Sequence, residues 1–166
     1  MRFKIGKSVF VLFDRIPTEK FVLGLQSNSF SPDKTKNVIF IDVDNAVTLD
    51  ELVKEIRKFQ KKFDLSTAYI YESSPGKFFF AIFNLLDYDE WSKVISYFPG
   101  DIRHTIIALA DKTSVLRISA KKGNIPKLVK IVRRKSKTRR ELSFGFFVLE
   151  NILRRERELQ KKYKNA

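Results

Sequence analysis

Between residues 38 and 44 the chain reads VIFIDVD, an apolar run into which two acids enter at alternate places. Side chains alternate across a strand, so Ile39, Ile41 and Val43 share one face. Val38, Phe40, Asp42 and Asp44 share the other. Upstream, SVFVLFDRIPTEKFVLGLQS predicts two short strands around an RIPTEK turn, followed by a polar loop with Pro32. Downstream, TLDELVKEIRKFQKKF carries Leu52, Val53, Ile56, Phe59 and Phe63 at helical spacing. Thr48 stands three residues before Glu51, the spacing of a capping box.

The pattern then returns to strands in TAYIYES and FFFAIF, joined by SPGK as a hairpin. DYDEWSKVISYF reads as a second helix, stopped by Pro99 and Gly100. HTIIALAD and SVLRISA read as two more strands. PKLVKIVRRKSK reads as an edge strand, and TRRELSFGFFVLENILRRERELQKKY as a last helix. That helix is expected to start at a second capping box, Thr138 to Glu141, with Leu142, Phe146, Leu149 and Leu153 as its stripe.

From residue 38 the order is β-α-β-β-α-β with one extra strand. This predicts an α+β fold with a ferredoxin-like, RRM-like antiparallel sheet. Helices would cover one face and leave the other open for binding. We read 1–166 as a single domain, with an N-terminal hairpin extension over 1–36 and a core over 37–124. A basic strand and a C-terminal helix follow over 125–166.

Charge sharpens this picture. The chain carries 33 Lys+Arg against 19 Asp+Glu, a net charge of +14. Residues 1–111 hold 15 of each sign, so all the excess lies in 112–166, with 18 basic and 4 acidic residues. Between 121 and 140 ten basic residues stand without an acid: Lys121, Lys122, Lys127, Lys130, Arg133, Arg134, Lys135, Lys137, Arg139 and Arg140. Such asymmetry points to an anionic partner, with DNA or RNA ahead of a membrane surface. The bland alternative is a solvated charge run. Leu128, Val129, Ile131 and Val132 interrupt the run, which favours a folded segment.

There are no cysteines, which excludes disulfides, thiol catalysis and cysteine metal sites. No apolar stretch is long enough for a membrane span, and the first residues lack the h-region of a signal peptide. A cytoplasmic protein is the expectation. SPGK lacks P-loop spacing. The one histidine, His104, reads as a strand-edge or core residue, and it supplies neither a histidine pair nor a serine-hydrolase base beside an elbow motif.

Asp42 and Asp44, two apart at a strand end, could share a divalent cation such as Mg²⁺, with Asp111 at the end of IIALAD as a third acid. The ordinary alternative is a pair of solvated strand-end acids. Phe40 and one register of Phe78, Phe79 and Phe80 could offer base-stacking rings on the open face.

FIDVD, a helix, YIYESSPGKFFFAIF and then ALADKTSVLRISAKKGN, in this order, resemble the archaeo-eukaryotic primase superfamily, including its plasmid primase-polymerase members. The resemblance spans residues 37 to 124 and rests on short motifs. It implies that Asp42, Asp44 and Asp111 hold Mg²⁺ or Mn²⁺. It places Ser73, Ser74, Gly76 and Lys77 near nucleotide phosphates, with Arg117 as the basic residue after the third acid. Where the family carries a histidine, this chain has Phe78, Phe79 or Phe80, and a phenylalanine cannot bond a triphosphate. The reading favoured by the sequence is therefore a nucleic-acid-binding protein with a primase-like core, catalytically weak or inactive. It would act in DNA replication, with an archaeal plasmid or virus as the expected setting. An active metal-dependent primase or polymerase is the alternative. A protein-interaction subunit docking a protein partner through FGFFVLENIL of the last helix is the second alternative.

Overall fold

The computed structural model describes residues 2–5, 8–11, 24–43, 47–119 and 124–164. Asp44, the RIPTEK turn, Lys121 and Lys122 lie outside these residues. The fold is α+β, with four helices and antiparallel sheets among the described residues.

Strands β1 (Arg2–Ile5) and β2 (Ser8–Val11) pair as an antiparallel ribbon. Residues 12–23 of the expected hairpin lie outside the described residues. Its first strand pairs backwards with β1, and its second, β3 (Gly24–Gln26), pairs with a strand ninety residues further on.

The central sheet is built from β4 (Lys36–Val43), β5 (Ala68–Ser74), β6 (Lys77–Asp87) and β8 (Lys127–Val132). Its order is β4-β6-β5-β8, antiparallel throughout. Helix α1 (Leu49–Lys62) joins β4 to β5, and β6 inserts between them. Both bonds of the Thr48–Glu51 capping box are present, so the helix starts where its sequence signal places it. Helix α2 (Tyr88–Tyr97) starts at Asp87, whose side chain accepts from the Glu90 N–H. The Trp91 indole then donates to the Val38 carbonyl at 3.0 Å, fixing α2 across β4.

Two expected strands are corrected. HTIIALAD is helix α3 (Ile102–Ala110), and Asp111 is its C-terminal cap, not a strand end. Asp101 caps its start by accepting from the Arg103 N–H at 2.8 Å. In an apolar run this short, periodicity alone does not separate strand from helix. Among the described residues of SVLRISA only Val115–Arg117 is a strand, β7, and it pairs with β3 outside the central sheet. The strand that completes the sheet after the helices is β8.

Both faces of the sheet are buried. Ile39, Ile41, Val43, Ile70, Phe80 and Ile82 meet α1 and α2 on one side. On the other, Val38, Phe40, Tyr71, Phe79 and Phe83 meet Leu25, Phe30, Leu116 and helix α4 (Gly145–Lys164). The second face is thus not open, as the sequence suggested. Phe40 is 1 % exposed and Phe79 3 %, and Phe78 and Phe80 pack toward α1 and α2, so none is a stacking platform. Fully burying a side chain of this size contributes roughly 1.5–3 kcal/mol. The driving force is therefore to close the face rather than leave it wet.

The last helix also begins later than expected. Thr138 does not cap it; its backbone and hydroxyl both donate to the Asp64 carboxylate, at 2.9 and 2.8 Å. Glu141 bridges Asn84 beside the sheet instead. Leu149 and Leu153 of the expected stripe are fully buried in this chain's own core. Within FGFFVLENIL, Val148, Ile152 and these two leucines are buried, whereas Phe144 and Phe147 are exposed. No helix among the described residues is long and apolar enough to cross a membrane.

Candidate nucleic-acid interface

The α4-side face of the sheet is sealed at its middle and left concave at one end. There Asp42, one residue before the end of β4, stands opposite Phe79 of β6. Lys77 opens β6, and Ser73 lies near the end of β5. A cavity of about 220 Å³ forms between these ends and the β3–β7 ribbon. Its polar wall is Asp42, Ser73, Lys77, His104, Arg117 and Ser119. Alternation accounts for the clustering. Asp42, Ser73 and Lys77 share strand parity with Phe40, Tyr71 and Phe79, so they point to the same side. They lie beyond the last core residues, where charge can still reach water.

Two tethers hold this end in place. Asp101 donates its N–H to the Asp42 carbonyl at 2.8 Å. Gly100 packs so closely that a Cβ there would sit 2.7 Å from that same carbonyl oxygen. A buried polar network holds the roof. Ser27 donates to Asn37 of β4 at 2.6 Å, and its Oγ lies 3.0 Å from the Thr113 Oγ1. Its Oγ also accepts from the Ser114 N–H at 3.0 Å. Ser114 immediately precedes β7, so this network fixes where Arg117 hangs over the cavity.

Four residues assigned from sequence thus meet here: Asp42, Ser73, Lys77 and Arg117. Ser74 and Gly76 do not line the cavity. Gly76 is at the tip of the β5–β6 turn with φ +71°, a conformation suited to glycine, and its N–H donates to Glu72 at 3.0 Å. Asp111 does not line it either, because α3 carries that residue to its far end. His104 was misplaced from sequence. It sits on α3, lines the cavity, and has Nε2 3.3 Å from the Val115 carbonyl. Ser119 and Asn124 were also missed. Only the helical spacing of Ile102 and Ile106 hints at the α3 register, and nothing local marks the other two.

The fit to a divalent cation is incomplete. Of the three assigned acids, Asp42 alone is on the described cavity wall, and it shares that wall with Lys77 and Arg117. Among the described residues no three of His, Cys, Asp and Glu gather closely enough to hold a metal.

The basic segment begins at the cavity. Asn124 and Pro126 line it, and Lys127 opens β8, the edge strand. Lys127, Lys130, Arg133, Lys135, Lys137 and Arg140 are exposed. Arg134 and Arg139 are half-buried and engaged in the fold. Arg134 pairs with Asp64 at 2.9 Å and donates to the Leu65 carbonyl at 2.6 Å. Arg139 pairs with Glu90 and donates to the Phe63 carbonyl at 3.1 Å. These two arginines therefore act as fasteners between the basic segment and the helices α1 and α2.

Comparison with protein-family models, with curated proteins and with solved structures gives no match for this chain.

Proposed function

We propose that the protein binds nucleic acid, with backbone phosphates following the basic edge strand β8 toward the cavity at Asp42. One observation carries this reading. Exposed basic residues follow the edge strand β8 and the chain that leaves it, and Asn124 and Pro126 just before β8 wall a cavity that also holds Lys77 and Arg117. Lys and Arg side chains in a concave polar site are phosphate ligands by charge and by hydrogen-bond donation. Ser73 and Ser119 add hydroxyl donors to the same wall.

The finer, primase-like reading draws support from the split βαβ unit of β4, α1 and β5 with β6 between. It also draws support from the meeting of Asp42, Ser73, Lys77 and Arg117. Efficient nucleotidyl transfer fits less well. Buried phenylalanines occupy the place of the motif histidine, and Asp111 is remote from the cavity wall. Our reading is a primase-like core that binds nucleic acid and turns over nucleotides weakly or not at all, in DNA replication.

The test is fluorescence anisotropy with labelled single- and double-stranded DNA and RNA across a salt titration. Wild type should bind with a steep salt dependence. A variant with Lys130, Arg133, Lys135 and Arg140 changed to Ala should bind more weakly and flatten the slope by about 0.9 unit per lost phosphate contact. Equal binding by wild type and this variant at every salt concentration would end the proposal.

A further inference from the structure

Beyond the cavity, the edge strand leads to a second concavity that no motif predicted. It is a groove of about 570 Å³ between β5, β8 and the start of α4. Its floor is aromatic. Tyr69 and Phe146 stack with ring centres 4.3 Å apart and planes 15° from parallel. The Phe83 ring is 5.7 Å from that of Tyr69, and the Phe147 ring, next along α4 and outside the groove's lining, is 5.6 Å from that of Phe146. A ladder of four rings therefore runs from the buried core to the surface. It ends on Phe147, which is 64 % exposed, beside Phe144 at 38 %.

The groove's rim is basic. Arg133 and Lys135 line it from the chain leaving β8. Its one acid, Glu141, faces inward and accepts from the Tyr69 hydroxyl at 3.4 Å. Burial raises the pKa of Glu141 from its ordinary value. An apolar peptide would find stacked rings without apolar walls. A single strand of nucleic acid offers π-faces and phosphates together, as this surface does.

We infer that the groove is a base-stacking site for single-stranded nucleic acid, with Phe147 as the outer stacking ring and Arg133 and Lys135 as phosphate contacts. This rests on the nucleic-acid reading and adds a strand preference to it. A paired base has its faces covered by its neighbours and cannot lie on Phe147 without unstacking. The strand would then follow β8 from the groove toward the cavity at Asp42.

The experiment measures binding of labelled oligo-dT, oligo-U and a DNA duplex of equal length. The proteins are wild type, Phe147→Ala and Phe147→Trp. Phe147→Ala should weaken both single strands roughly five- to hundredfold, the range for losing one stacked base, while the salt slope is unchanged. Duplex binding should stay at the wild-type level. Phe147→Trp should retain affinity, and its fluorescence should be quenched on adding either oligonucleotide. If wild type binds oligonucleotides and Phe147→Ala binds them equally well, the stacking site is overturned while the nucleic-acid reading stands. An equal loss on single strand and duplex, or displacement of oligo-dT by polyglutamate that depends on Phe147, would also overturn it. Absence of any oligonucleotide binding by wild type at low salt would overturn the nucleic-acid reading itself.

Discussion

Arg134 donates to Asp64 at 2.9 Å, joining the chain that leaves β8 to the residue just past the end of α1. Asp64 sits at φ +49° and turns its carboxylate toward residues 134–138. It also accepts from the Ser136 hydroxyl and from the Lys137 and Thr138 N–H groups. These donors, with the Thr138 hydroxyl first, hold its pKa well below the usual carboxylate range. The stability this contributes is present above the ordinary aspartate pKa of about 3.9 and lost as pH falls toward the lowered value. Asp64→Asn should therefore lower the melting temperature at neutral pH. The gap to wild type should narrow as pH is brought below about 4. Thermal unfolding followed at several pH values checks both points.

Asn84 is fully buried on β6, where its Oδ1 accepts from both the N–H and the hydroxyl of Ser66, at 2.8 and 2.7 Å. Its amide donates to the Arg140 carbonyl at 3.3 Å. Asn84→Ala leaves these groups without partners in a dry place. The expected loss is about 3 kcal/mol, at ~1–3 for each orphaned buried group. Urea denaturation should show a lower midpoint with an unchanged slope.

Gly100 presses on the strand end that presents Asp42. Adding a methyl group there must displace the Asp42 carbonyl or the Ile41 side chain, both fixed by the sheet. Gly100→Ala should cost about 1–3 kcal/mol, the usual range for overpacking. It should also weaken nucleic-acid binding through the shifted cavity wall, which anisotropy would detect. Wild-type binding in this variant would show that the Asp42 end plays no part in binding.

Nucleotide incorporation on a single-stranded template with Mg²⁺ or Mn²⁺ should be weak or absent. A preorganised donor to a developing charge commonly supplies a hundredfold or more in rate. Phenylalanine at 78–80 supplies none. Robust synthesis that disappears in Asp42→Ala would establish the active-enzyme alternative in place of our reading.

The exposed and engaged basic residues should separate cleanly. Lys130→Ala and Lys135→Ala should alter the salt dependence of binding and leave stability unchanged. Arg139→Ala should lower the melting temperature, because it releases Glu90 of α2 and the Phe63 carbonyl. Parallel melting curves and salt titrations distinguish the two groups.

Local signals in the sequence determined much of the scaffold. The Thr48–Glu51 box, the Asp87 start of α2 and the strand parity of residues 38–43 act within a few residues, and each appears as read. Parity put Asp42 on the face opposite Ile41; Ser73 and Lys77 were expected near it only from the resemblance, and the pairing of β4, β6 and β5 brings the three together. The tertiary structure decided what long-range packing controls. Whether HTIIALAD became strand or helix depended on the neighbours available to it, since an apolar run of that length suits either. Strand partners also came from distant residues: β3 found β7, and β8 took the sheet edge beside β5. The closure of the second face by α4 turned Phe40 and Phe79 from candidate binding rings into core. Its start placed Phe146 against Tyr69 and left Phe147 in solvent. Burial is a property of what covers a residue. Identical phenylalanines therefore become core or surface according to contacts that sequence spacing does not encode.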